Sequence, residues 1–316
     1  MENSISKIQP APQPSGNVGT TTNTRLMVVK MKCSQWYPRK YDAEISKKIA
    51  EDYGVANAER AGRYNKLLIS AESIRPLQQA FGYLKDNIHY KYTLPWADVG
   101  ERVLPVTLQW EYAALVREQK EKIEALVQEF AFGEYRQQRE QAKLDLNGMF
   151  RESDYPPAAE VADRFEVRVK YTPLVNPDDV RVWGIGDEAA AEIEADVRAD
   201  MEAATDEAHQ VLVGKVIKRA KEFIAKVSLY DARIANDEKG VRLHDTAIEN
   251  LRDVVIMVLK GLNVKDDTNL TALAKQLNGL LSDATPDTLK HSAQQREDKT
   301  KAVEKTLAKF EGVYGA

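Results

Sequence analysis

A single cysteine, Cys33, leaves this 316-residue chain without an internal disulfide and without the thiolate sets that build zinc or iron–sulfur centres. Histidine is almost as scarce. His89, His209, His244 and His291 are scattered, with no His-x-x-x-His pair and no compact set with carboxylates, so each reads as a surface or partly buried side chain. No P-loop occurs, and no serine or cysteine sits in a nucleophile elbow beside a base. The chain therefore reads as a non-enzyme with no metal and no cofactor. Long apolar runs are missing too: the longest, residues 254–259, falls far short of the ~20 needed to cross a bilayer. Residues 1–7 lack a basic stretch followed by an apolar one, and Glu2 stands where N-myristoylation needs glycine. A soluble, cytoplasmic protein without membrane contact is expected.

Charge is abundant but nearly balanced. With 45 basic and 49 acidic side chains the net charge is −4, which offers a phosphate backbone no global attraction, so any nucleic-acid site has to be a local patch. Charged residues make up 30% of the chain and hydrophobic residues 43%, a balance suited to long helices with one wet side. Residues 1–24, with Pro10, Pro12, Pro14 and Thr20 to Thr22, read as a flexible tail. Residues 25–183 read as a helical domain with a small sheet, and residues 184–316 as a helical domain with one long helix and C-terminal helices.

Helical periodicity dominates both regions. Helices are expected from Asp42, over 63–87 with a kink or interruption at Pro76, and over 106–150 with a break at Gly133. Residues 92–105, with Pro95, Trp96, Gly100 and Pro105, read as an ordered loop. The longest helix runs over 187–234, where Ile193, Val197, Met201, Leu212, Val216 and Phe223 form an apolar stripe. Its acids lie towards the N-terminal half and its bases towards the C-terminal half, which complements the helix dipole and favours antiparallel self-association. Helices over 237–262, from Asp267, and from Thr285-Pro286-Asp287 to the end complete the pattern. No repeat of 20 to 50 residues is present.

Against this background two stretches alternate with period two. Met27, Val29, Met31 and Cys33 alternate with Lys30 and Lys32, and Phe165, Val167, Val169 and Tyr171 alternate with Arg168 and Lys170. Pairing them, with a short third strand over 180–183, gives a mainly α fold of long amphipathic helices and helical hairpins with a small two- or three-stranded antiparallel sheet. Its outer face would carry Lys30, Lys32, Arg168 and Lys170, with Arg39, Lys40 and Arg181 near the ends and Trp36 and Tyr37 alongside. Cations that track phosphates beside aromatics that stack on bases are the elements of single-strand binding. The same cations also serve simply to keep an open sheet face soluble, with Trp36 filling core. Trp183-Gly184-Ile185-Gly186 resembles a nucleotide loop, but Ala189 replaces the third glycine and Asp187 and Glu188 repel a phosphate, so it reads as a capped joint.

Trp36 with Arg39-Lys40, Leu94-Pro95-Trp96 with Gly100, Arg102, Leu104 and Pro105, Phe150 with Asp154-Tyr155-Pro156, then Phe165, Val167, Pro173 and Asp179 to Val182 follow one another in a characteristic order. In this the chain resembles an uncharacterised protein family of tailed bacteriophages, similar to a bacterial domain of unknown function associated with MoxR-type AAA+ ATPases. The resemblance implies a phage protein in the host cytoplasm and a AAA+ ATPase as partner; it transfers no active-site residue. Two functions are expected. One is interaction, assembly or adaptor work through long helical surfaces, as a homo-oligomer or with a protein partner. The other is single-stranded nucleic-acid binding on the basic ribbon.

Overall fold

A computed structural model describes residues 26–97, 99–174, 187–239 and 241–314. Arg181, the expected strand over 180–183 and the glycine joint lie outside the described residues. The elements in chain order are β1 Leu26–Ser34, β2 Arg39–Tyr41, α1 Ala43–Asp52, β3 Asn65–Leu67 and α2 Ala71–Tyr83, which passes through a π turn, Leu84–His89, into α3 Tyr90–Tyr92. Then come β4 Leu94–Pro95, β5 Glu101–Pro105, α4 Gln109–Glu129, a second π turn Phe130–Glu134, α5 Tyr135–Leu146, α6 Ala158–Asp163 and β6 Glu166–Pro173. The C-terminal region holds α7 Asp187–Ala235, α8 Thr246–Met257, α9 Thr268–Leu281, α10 Pro286–His291 and α11 Ala293–Tyr314. The fold is mainly α with small antiparallel sheets, as the periodicity predicts.

Several boundaries differ from expectation, each for a local reason. Residues 92–105 are not a loop: β4 and β5 pair with each other, and β5 pairs with β1, making a four-stranded sheet of order β4-β5-β1-β6. Pro95 is tolerated because β4 is an edge strand, where a missing N–H costs no ladder bond. The helix expected over 63–87 starts only at Ala71, after the cap from Ser70, because Asn65–Leu67 pairs with β2. Pro76 lies inside α2 without ending it, and Gly133 falls in the second π turn rather than a break. The helix expected over 237–262 begins at Thr246, and the last helix is divided at Ser292 into α10 and α11.

Strand pairing follows from burial. Val29, at the centre of β1, is fully buried, and Tyr171 opposite it packs edge-on against Tyr112 of α4 at 6.3 Å between ring centres. Phe165 packs with Phe81 of α2 and Phe130, so the inner face of the sheet rests on α2 and α4. The opposite face is closed only at one end, where Leu94 and Val103 are buried and α7 packs on β4. In the C-terminal region α7 packs against α8 and α11 along Leu212, Val216 and Phe223, and α9 closes the group under a cap from Asp267. One hydrophobic core runs through both regions, from Leu26 to Phe310.

Candidate nucleic-acid interface and the adjoining cavity

The register of β1 and β6 puts Lys30 opposite Lys170 and Lys32 opposite Arg168. Directly opposed side chains on one sheet face lie about 5 Å apart at Cβ, and like charges in that arrangement repel. Lys30 is relieved by Glu101 at 3.7 Å, and Arg168 by Glu166 of its own strand. Lys32 and Lys170 have no ion-pair partner among the described residues. A groove of about 670 Å³ follows this face, lined by all four cations and by Lys120 of α4.

The aromatic elements are divided. Trp36 is 4% exposed and packs on Phe130 and Tyr135, the latter edge-on at 5.5 Å, so it belongs to the core and is not a stacking platform. Tyr37, in contrast, is 67% exposed, with the Arg39 guanidinium over its ring at 5.6 Å. Tyr41 repeats this arrangement under Arg63 at 5.5 Å, and Lys40 is exposed between them on β2. Tyr37 is five residues on from Lys32, so its Cα lies within about 17 Å of that of Lys32.

The stripe on α7 is divided as well. Leu212, Val216 and Phe223 are fully buried against this chain's own helices. Val197 and Met201 are half-buried and Ile193 is 37% exposed.

Beside the basic face lies a cavity of about 580 Å³ that sequence patterns do not reveal. β5 stops pairing with β1 at Lys30, so Met31, Lys32 and Cys33 border a slot where the ladder on that side has ended. The first π turn contributes Lys85 and His89, α3 contributes Tyr90, and the β4–β5 hairpin contributes Trp96 and Arg102. Arg102 is tethered to Thr93, donating from Nε to Oγ1 at 2.6 Å and from Nη2 to the carbonyl at 2.7 Å, and its guanidinium covers Tyr90 at 4.7 Å. Thr93 in turn donates to the His89 carbonyl.

Cations outnumber carboxylates here. Burial, then Arg102 and Lys85, lowers the His89 pKa from 6.5 to about 4, so the ring is neutral at physiological pH; its Nδ1 lies 2.8 Å from the Tyr112 hydroxyl. Lys215 of α7 donates to the Tyr90 carbonyl at 3.1 Å, and burial followed by Arg102, Arg219 and Lys91 lowers its pKa to about 8. Burial also pushes the Cys33 thiol up, against the nearby Lys85 charge, which keeps it protonated. Arg102 and Lys85 meet no carboxylate within ion-pair distance among the described residues. Glu101 and Glu207 also line the cavity, and Glu101 is engaged by Lys30.

Among the described residues no group of three or more His, Cys, Asp or Glu side chains could hold a metal ion, and no helix is long and apolar enough to cross a membrane. Comparison with protein-family models, curated proteins and solved structures finds no match for this chain.

Proposed function

We propose that the chain is a binding protein for single-stranded nucleic acid, held on the outer face of β1 and β6. The observation that carries this reading is the register of Lys30 with Lys170 and Lys32 with Arg168: two like-charged pairs set face to face on an open sheet. Glu101 and Glu166 relieve one member of each pair, and Lys32 and Lys170 are left for a polyanion to relieve. The groove leaves room for a backbone, Lys120 adds a further cation, and Tyr37 and Tyr41 supply exposed rings for bases within reach. The cations would position phosphates without reading sequence.

The test is anisotropy of labelled single-stranded DNA and RNA between about 50 and about 200 mM salt. Each cation that meets a phosphate adds about 0.7 to the slope of log affinity against log salt, so four give a slope near −3. Glu at positions 30, 32, 168 and 170 together is expected to abolish binding and flatten that dependence. Unchanged retention by this variant would remove the proposal.

A second reading concerns the N-terminal third of α7, where Ile193 is exposed on a strongly acidic segment. That segment suits a basic protein partner, the adaptor role that likeness to the phage family implies for a AAA+ ATPase. Ile193→Asp is expected to release such a partner while leaving strand binding intact. A partner retained at full strength counts against this surface.

A further inference from the structure

The cavity beside β1 combines features that the basic face lacks. It is concave, its volume lies within the range of small-molecule sites, and its walls mix a few fixed polar groups with aromatic and apolar surface. Arg102 is the centre of it. Nε and Nη2 are spent on Thr93 and the ring of Tyr90 supports the plane, so Nη1 has no acceptor among the described residues and is held in one orientation. The guanidinium is half-buried and meets no carboxylate among the described residues, so its charge is left for an anion in the cavity. Lys85 and Lys32 line the same space, and Lys215 stands one hydrogen bond away on the Tyr90 carbonyl. Trp96 and Met31 give the remaining wall an apolar character.

We propose that this cavity binds a phosphate monoester of mononucleotide size, with the phosphate on Arg102, Lys85 and Lys32 and the planar group against the apolar wall at Met31. Nη1 keeps its N–H groups for a phosphate oxygen, and such a charge-assisted bond is stronger than a neutral one. Met31, Lys32 and Gly100 also line the groove on the basic face, so the two spaces adjoin. The ligand chemistry therefore has two sources: a free nucleotide, or the phosphorylated end of a strand lying on the face. The strand-end form rests on the proposed function; the free-nucleotide form does not.

Cys33 makes the cavity readable, since it is the only thiol of the chain and lies in the wall. Alkylation of the intact protein, followed by mass spectrometry, is measured with inorganic phosphate, a nucleoside 5′-monophosphate, and single strands bearing a 5′-phosphate or a 5′-hydroxyl. The nucleotide is expected to slow alkylation at least about 5-fold at saturation, and Arg102→Gln to weaken its binding about 10-fold or more, as loss of a charge-assisted bond does. Lys85→Met is the second variant and should act in the same direction if Arg102→Gln does not fold. Stronger protection by the phosphorylated strand than by the hydroxyl strand assigns the site to strand ends. Equal protection by both strands, with the free nucleotide still protecting, assigns it to free nucleotides. Absence of protection by every probe, or protection that survives both substitutions, overturns the proposal. Arg168→Glu with Lys170→Glu separates the two sites: strand affinity should fall while nucleotide protection of Cys33 persists.

Discussion

Lys66 is buried and Arg102 half-buried, and the fold answers their charges in opposite ways. Lys66, with a side chain 1% exposed, reaches Asp154 at 2.6 Å, Asp42 at 3.2 Å and the Met149 carbonyl at 2.9 Å. Its charge is fully answered by the protein, and it ties β3 to the start of α1 and to the turn before α6. Asp42 accepts from the Ile45 N–H as the cap of α1, and this bond, with the help of Lys66, holds its carboxyl below the usual range. Arg102 is equally well held, by Thr93 and Tyr90, but by neutral groups alone. One cation is a rivet whose partners are internal; the other keeps its strongest interaction available for something outside the chain. The difference between a structural charge and a binding charge lies first in the partner.

The largest expected effect breaks the first of these. Lys66→Met leaves two carboxylates facing each other without a cation and should cost about 3 to 5 kcal/mol, seen as a lower midpoint in urea unfolding. Adding Asp42→Asn and Asp154→Asn to it should recover most of that loss, since a neutral cluster carries no stranded charge.

His89 tests the other side. Its pKa is depressed, so between about 6.5 and about 4 the unfolded chain binds a proton that the folded chain refuses. Stability is then complete above pH 6.5 and is lost as pH falls, by up to about 3 kcal/mol over the whole window. The slope of stability with pH in that window should flatten in His89→Gln, measured as the difference between the two proteins so that other acids cancel.

Arg102→Gln sharpens the contrast. With no carboxylate left unpaired, its loss should cost about 1 to 3 kcal/mol, the value of its bonds to buried Thr93, while phosphate binding suffers. A loss comparable to that of Lys66→Met would mean that Arg102 is a structural cation after all. The smallest effect is expected from Lys215, which loses its proton as pH rises through about 8. Phosphate affinity should decline only a few-fold between pH 7 and 9, roughly what one exposed-edge charge contributes, and Lys215→Met should remove that decline.

Much of the fold was legible in the chain. The stripe from Ile193 to Phe223 and the cap at Asp187 mark a helix over 187–234, and α7 ends one residue later, at Ala235. Thr285-Pro286 opens α10 with a capping box. What escaped was short and cooperative. Two residues of β4 and three of β3 carry no periodicity, and they are strands only because a neighbour supplies their hydrogen bonds. The break at Ser292 has no proline or glycine to announce it.

The site was legible to a similar degree. Alternation picked out Lys30, Lys32, Arg168 and Lys170, because period two is a local property of each strand. It placed Trp36 with them on sequence proximity, although the ring turns inward to Phe130 and Tyr135. The cavity was invisible, since its wall comes from β1, a π turn, α3, the β4–β5 hairpin and α7, and no one of these carries a motif.

The sequence by itself determined where helical periodicity lies, several caps and which strand face is basic, because each depends on residues within a turn or two of one another. Only the tertiary structure decided which cations find a carboxylate. Pairing is a matter of a few ångströms between residues far apart in the chain, where interaction energy changes steeply with distance and burial. Lys66 lies 24 residues from Asp42 and is met by it, whereas Arg102 emerges on the same kind of short strand and meets only neutral neighbours.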